Sequence, residues 1–353
     1  MAYYNKFKNV DIALPNVSSG LNGEFKISAF KGYKFGGKVY EYPGTRRLLQ
    51  DWHPNLIVNN GLDAYGAGGS AYMDEYCYVG TGNTPPTNTD SSMESYVAQD
   101  ADNSRTPTAQ GSAPYFGKTE TKYLFSPNFG GGDINLNEIG VGRTSDHTTG
   151  LTSRSLTVNG SGVPTTISVL AEEYLECYYR RRNYPGHIVE ATGAPTDDTG
   201  TVTIEGISYG YTIRPSMVTV GGSYSVGTGA GWGTCMRIMD AEIGYSNNVF
   251  NEALGYKSDA ALGSVTGGPT GTGFGDSPQT TYRGTYTTGS YSMEIGYEFG
   301  ISDLNDAGGI KALLLKTSLG AYQMLFDTVI PKVYGQVFTF YHNFSWARKL
   351  TWV

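Results

Sequence analysis

The sequence predicts an all-β fold, with two β-sandwich-like domains, long Gly/Thr/Ser-rich loops and at most short helices. Three observations predict it. Apolar and polar residues alternate with period 2 through the ordered stretches. Gly supplies 49 of 353 residues and charged residues only 16%, against about 25% charged in a typical domain, so few long salt-bridged helices can form. Tyr at 28 and an aromatic share of 13% provide the broad side chains that pleated surfaces favour.

Taken in order, Glu24 to Lys31 alternates Phe25, Ile27 and Ala29 against mostly polar residues, as a half-buried strand does. Val39 to Tyr42 stops at the turn dipeptide Pro43-Gly44. Asn59 to Tyr65 is the best candidate for one short helix, capped by Asn59 or Asn60. Tyr76 to Val79 is a strand, and residues 83–120 lack periodicity and predict a long loop or arm. Strands follow at Tyr123 to Phe125, Leu136 to Val141, Ser155 to Val158, Thr165 to Leu170 and Leu175 to Arg182. Past a boundary near 183–187 they resume at Thr201 to Tyr209, Met236 to Tyr245, Tyr291 to Phe299, Ile310 to Leu315, Tyr322 to Phe326 and Val337 to Phe344. The organisation this implies is an N-terminal attachment segment with strands over 1–50, a first sandwich over 51–185 and a second over 186–353, with long loops at 221–234 and 257–290.

The net charge of −7 gives no general attraction to phosphates, so nucleic acid is not an expected partner. Cys77, Cys177 and Cys235 are widely spaced and read as small buried hydrophobes rather than a disulfide or zinc framework. No stretch has the length and apolarity of a membrane span, and the first residues do not resemble a secretory leader, so a cytoplasmic origin without membrane insertion is expected. Catalytic signatures are missing: there is no G-x-S-x-G, and His53, His147, His187 and His342 have no metal-ligand spacing. Neither the glycines at 66–69 nor those at 227–233 sit between a buried strand and an amphipathic helix, where a phosphate cradle belongs. Asp100 to Ser104 and Asp303 to Asp306 concentrate oxygen atoms but read as Asx turns, and Glu172-Glu173 and Asp197-Asp198 as solvated turns. The sequence thus calls for no cofactor, no metal and no enzymatic activity. Glu138-Ile139-Gly140 recurs at Glu242-Ile243-Gly244 and Glu294-Ile295-Gly296 without matching flanks, which does not make a repeat.

Two groups of residues suit contacts between subunits. Tyr96, Val97, Tyr115 and Phe116 are apolar anchors in the 83–120 arm, expected to order against a neighbouring copy. Arg180, Arg181 and Arg182 follow Tyr178-Tyr179 at the end of a strand, where inter-domain or inter-subunit ion pairs are expected.

The run Leu56-Ile57-Val58-Asn59-Asn60-Gly61-Leu62-Asp63, followed by Cys77-Tyr78-Val79-Gly80-Thr81-Gly82-Asn83-Thr84-Pro85-Pro86, resembles tailed-phage virion structural proteins of the tail and its appendages. Similar in order are Ile134 to Arg143, Leu151 to Ser155, Val163 to Leu170 and Glu173 to Leu175, then Leu319 to Phe326, Ile330 to Lys332 and Ser345 to Arg348. The resemblance implies a non-enzymatic subunit of a tail sheath, appendage or fibre, made in a bacterial host cytoplasm and resident in the virion tail. Its implied partners are copies of itself and other tail or neck proteins. The alternative is a receptor- or carbohydrate-binding module contacting a host cell-surface receptor or glycan, with Trp232 and Tyr245 on glycine-rich segments as the contact residues; a depolymerase is the third class.

Overall fold

The alternating sequence builds strands over 57% of the chain, with one helix among the described residues. The computed structural model describes residues 8–66, 73–101, 104–110, 112–186, 195–216, 251–265, 267–276, 278–317 and 320–349. The expected strand at Met236 to Tyr245 and the expected loop at 221–234 lie outside them, as do Trp232, Tyr245, His187 and Cys235. In chain order the first elements are β1 (Lys8–Ala13), β2 (Val17–Phe35), β3 (Lys38–Glu41), β4 (Arg47–Pro54), β5 (Leu56–Ile57), helix α1 (Asn59–Gly66), β6 (Tyr76–Gly80) and β7 (Tyr96–Ala101). Next come β8 (Ser104–Gln110), β9 (Phe116–Phe125), β10 (Ile134–Leu136), β11 (Glu138–Gly142), β12 (Leu151–Leu156), β13 (Ile167–Val169) and β14 (Glu173–Pro185). The remainder are β15 (Asp198–Ile204), β16 (Ile207–Pro215), β17 (Asn251–Tyr256), β18 (Thr280–Arg283), β19 (Ser292–Phe299), β20 (Ile310–Thr317), β21 (Gly320–Ile330) and β22 (Gln336–Arg348).

A ten-stranded sheet runs β18-β19-β22-β2-β14-β9-β8, with β1 added on β22 and with β3 and β4 on β2. Two five-stranded sheets, β5-β12-β11-β6-β7 and β15-β16-β21-β20-β17, and the β10-β13 pair complete the structure. The 19-residue β2 is the spine. Its odd-numbered residues share one face because side chains alternate, and that face serves two cores. Val17 and Leu21 join Ile295, Phe299, Phe340 and Phe344 of the large sheet and Ile213, Leu313 and Met324 of the β15–β17 sheet. Phe25 and Ile27 join Leu175 and Tyr123 of the large sheet and Cys77, Val79 and Ile139 of the β5–β7 sheet. β1 and β2 pair in parallel with β22, more than 300 residues away in the chain.

Gly23 separates Leu21 from Phe25 on that face, and a Cβ there would lie 2.2 Å from Asn55 Oδ1 and 2.6 Å from the Tyr179 hydroxyl. Opposite it in β14 the core row turns polar, at Arg181 and Asn183. Helix α1 covers this seam, with the Tyr65 hydroxyl accepting from Asn183 Nδ2 at 2.7 Å. The helix is fastened to β22 by Trp346 Nε1, which donates to the Leu62 carbonyl at 2.9 Å.

Several expectations are corrected. The stretch 83–120 is not a continuous loop: β7, β8 and the start of β9 occupy much of it, while residues 81–95 carry no strand. Both β7 and β8 are edge strands, which need only one partner and so tolerate polar Thr and Ser and even Pro107. Thr201 to Tyr209 is not one strand but a hairpin, because Glu205 (φ 51°) and Gly206 (φ 82°) form a tight two-residue turn between the paired Ile204 and Ile207. Within 257–290, the four-residue β18 interrupts the predicted loop.

His342 lies on the core face of β22, stacked at 5.9 Å on Tyr297. Burial pushes its pKa down to about 4. An unfolded chain regains an ordinary histidine of about 6.5, so unfolding takes up a proton as pH falls from about 6.5 to about 4, and stability drops across that window. The shift corresponds to about 3 kcal/mol. Urea unfolding at pH 7 and pH 4.5 should show this loss in the native chain and a much smaller one in His342→Phe; equal losses would show that His342 is not the titrating group.

Candidate functional site

β14 displays a different chemistry on each face. Inward, Arg181 Nη1 lies 3.2 Å from Asp74 Oδ1, Arg105 Nη2 approaches the same oxygen at 3.6 Å, and the Thr121 hydroxyl donates to Oδ2 at 2.9 Å. Burial alone would raise the Asp74 pKa, but the two guanidinium groups and Thr121 outweigh it and hold the carboxyl below its ordinary range. Its contribution to stability is therefore complete above about pH 4 and fades as pH falls through the lowered pKa. This cluster forms part of the polar seam between the two cores.

Outward, the cross-strand register arranges charges and rings in rows. Tyr178 stands between Lys26 and Lys122, and Arg180 between Glu24 and Glu120. Arg180 Nε donates to Glu24 Oε2 at 2.7 Å while its guanidinium lies 3.9 Å over the Trp52 ring. Trp52 in turn meets Tyr178 edge-on at 6.4 Å and 61°. Arg182 shares the Glu24 carboxylate at 3.0 Å. Glu176, almost fully buried, accepts from both Arg46 and Lys122. Between these residues and the exposed Leu48 lies a groove of about 390 Å³.

A second surface is the hairpin in which the end of β2 turns into β3. Gly36 and Gly37 both have positive φ (56° and 80°), the geometry of a two-residue type I′ turn, and they pair Phe35 with Lys38. One face of this ribbon carries Tyr33 stacked on Tyr40 at 5.4 Å and 18°, with Tyr42 at 5.6 Å. Phe35, 72% exposed, marks the tip.

A third feature is a polar pocket of about 360 Å³ lined by Asp63 and Ala64 of α1, Arg143 and Thr149 of the β11–β12 turn, and Tyr286. Asp63 Oδ1 already accepts from the Tyr286 hydroxyl at 2.5 Å and from the Gly289 N–H at 2.7 Å, so the carboxylate ties two distant segments together.

The stretch around Val79-Gly80-Thr81-Gly82 is held by Glu138. The fully buried carboxylate accepts from the N–H groups of Gly82 (3.2 Å), Glu94 (3.2 Å) and Ser95 (2.7 Å) and from Arg154 Nε (2.8 Å). A Cβ at Gly80 or Gly82 would come within 2.5–2.6 Å of Glu138 Oε1, so these glycines are required by close approach. The Glu-Ile-Gly tripeptide contained the anchor, but only the fold reveals its partners.

Of the residues read as subunit contacts, Tyr96, Tyr115 and Phe116 pack against their own chain. Tyr96 stacks on His147 at 3.8 Å and 3°, Val97 lies in β7 where the β6 register slips, and Tyr115 packs against the first core. Phe116 meets Tyr184 at 5.5 Å, with Arg182 over its ring at 5.1 Å. For Arg180, Arg181 and Arg182 the ion-pair partners are Glu24 and Asp74 of the same chain. Glu173 is no solvated turn residue: it is buried and paired with Arg47. The Asp303–Asp306 turn directs its oxygens at an ammonium, since Lys332 Nζ donates to the Gly300 carbonyl at 3.0 Å, the Asp303 carbonyl at 2.5 Å and Asn305 Oδ1 at 3.2 Å. Among the described residues no cluster of three or more His, Cys, Asp or Glu is placed to hold a metal ion, and no helix is long and apolar enough to cross a membrane.

Asp74→Asn leaves Arg181 and Arg105 facing a neutral amide at a buried site, and is expected to cost about 3–5 kcal/mol. The measurement is the urea midpoint at unchanged slope; a loss below about 1 kcal/mol, the worth of an exposed pair, would show that the seam does not depend on this carboxylate. No protein-family model, no curated protein and no solved structure matches the chain.

Proposed function

We propose that the chain is a non-enzymatic structural subunit of a tailed-phage virion, a tail component that assembles with copies of itself and with other tail or neck proteins. The observation that carries this reading is the β2–β3 hairpin. Tyr33, Phe35, Tyr40 and Tyr42 are 48%, 72%, 43% and 46% exposed, yet they are held in a fixed array outside both cores. Soluble monomers rarely leave contiguous apolar surface uncovered, and Tyr and Phe are enriched where proteins meet. Lys34 and Lys38 make the tip basic on a chain of net charge −7, which complements the acidic body of another copy. The ordered phage-like segments supply the virion context and the expected location in the tail after synthesis in a bacterial cytoplasm.

Sedimentation velocity of the full chain over a wide concentration range tests this. The native chain should form a discrete oligomer. Combined Tyr33→Ser, Phe35→Ser and Tyr40→Ser substitutions should leave a monomer with an unchanged far-UV circular dichroism spectrum. A native chain that stays monomeric at every concentration would sink the self-assembly reading.

A further inference from the structure

We propose that the groove beside Trp52 and Tyr178 binds a neutral oligosaccharide. It is a separate site from the hairpin and does not rest on the assembly proposal. Two half-buried aromatic rings stand 6.4 Å apart at 61° on the outer face of a rigid sheet. Exposed Leu48 forms the opposite rim, and Ser28 and Lys26 line the groove. The flat C–H face of a pyranose is complementary to such a ring, as an apolar ligand surface is to any aromatic wall.

The charges around the rings select the ligand class. Lys26 faces Asp51 at 3.5 Å, Lys118 faces Glu120 at 3.3 Å, and Arg46 and Lys122 share Glu176. The charged residues that line the groove are Lys26 and Arg46 against Glu120 and Glu176, two of each sign, so the groove has no surplus positive charge with which to hold a phosphate or a polyanion. A wholly apolar peptide segment would bury these ion pairs against hydrocarbon at a desolvation cost. Sugar hydroxyls, which both donate and accept, can bridge matched acid–base pairs without disrupting them. Preorganisation favours the same ligand: Trp52 is fixed by Arg180, and Arg180 is fixed by Glu24, so binding orders little of the protein.

The test is titration of the full chain with glucose-, galactose-, mannose- and N-acetylglucosamine-based neutral hexasaccharides. The readouts are tryptophan fluorescence and saturation-transfer NMR, with a heparin hexasaccharide as the anionic arm. At least one neutral probe should bind with a Kd of about 1 mM or tighter, and the heparin probe should bind more weakly. Trp52→Ala should weaken binding at least about tenfold, a loss of about 1.4 kcal/mol. Because that change also releases Arg180, Leu48→Arg on the exposed rim serves as the second variant: it should block the groove while leaving the melting temperature unchanged. The triple hairpin substitution should abolish oligomers but keep saccharide binding, which separates the two proposals. The inference is overturned if no neutral probe binds at up to about 10 mM, an affinity below about 3 kcal/mol. It is also overturned if binding survives both groove variants, or if only the heparin probe binds.

Discussion

The structure depends on the unbroken antiparallel register between β2 and β14, from Ser19 opposite Pro185 to Lys31 opposite Glu173. A strand pair this long puts every second residue on one face over its whole length, and here one face has to satisfy two cores in succession. A slip of one residue would exchange Phe25 and Ile27 for Lys26 and Ser28, and Tyr179 and Arg181 for Tyr178 and Arg180. The polar seam between the cores helps to forbid such slips, because Arg181 finds Asp74 only in the native register. The ion cluster thus contributes specificity as well as stability, the role best attested for buried charges elsewhere.

The same alternation explains how a chain with only 16% charged residues carries so ordered a charged surface. Outward positions of β2, β9 and β14 bring Lys, Glu and Arg into cross-strand rows, and Arg180 directly faces a carboxylate on each side, Glu24 and Glu120. Three guanidinium groups also cover aromatic rings, Arg180 on Trp52, Arg182 on Phe116 and Arg46 on Phe30. The planar cation serves as both ion-pair partner and apolar lid. In the Asp303–Asp306 turn the oxygens find partners within the chain, since Lys332 donates to the Gly300 and Asp303 carbonyls and Asn305 Oδ1 while Lys257 pairs with Asp306.

The fold class and the elements with strong alternation were legible in the sequence. The helix predicted at Asn59 to Tyr65 runs over Asn59–Gly66, and the strands read at Tyr76 to Val79 and Tyr291 to Phe299 occur close to those bounds. The edge strands β7 and β8 were not legible. β7 and β8 bury little, so their residues lack the period-2 contrast that marks a core strand, and their order is imposed by neighbours far away in the chain. Strand order itself is a non-local property: nothing near Val17 signals that it pairs with Phe344. For the sites, the aromatic–arginine run at 178–182 was visible as a cluster, but Trp52 and Glu24 join it only through the sheet. The turn at Gly36-Gly37 between the strands read at Glu24 to Lys31 and Val39 to Tyr42 was not singled out, and the exposure of the hairpin's aromatics depends on what the rest of the chain leaves uncovered.

The parallel pairing of β1 and β2 with β22 also sets the order in which the chain can complete itself. Residues 17–21 of β2 pair with residues 344–348 on their β22 side, so during synthesis that edge waits until residue 348 has left the ribosome. The core around Phe25, Leu175 and Ile139 draws only on residues before 186 and can close earlier. Such late, long-range closure is slow because loop entropy is lost before the contacts form, and an open strand edge in the interim invites pairing with another nascent chain. A polypeptide that stops before residue 336 lacks β22, the strand that joins β2 to β19, and leaves the Val17–Leu21 edge of β2 unpaired on that side.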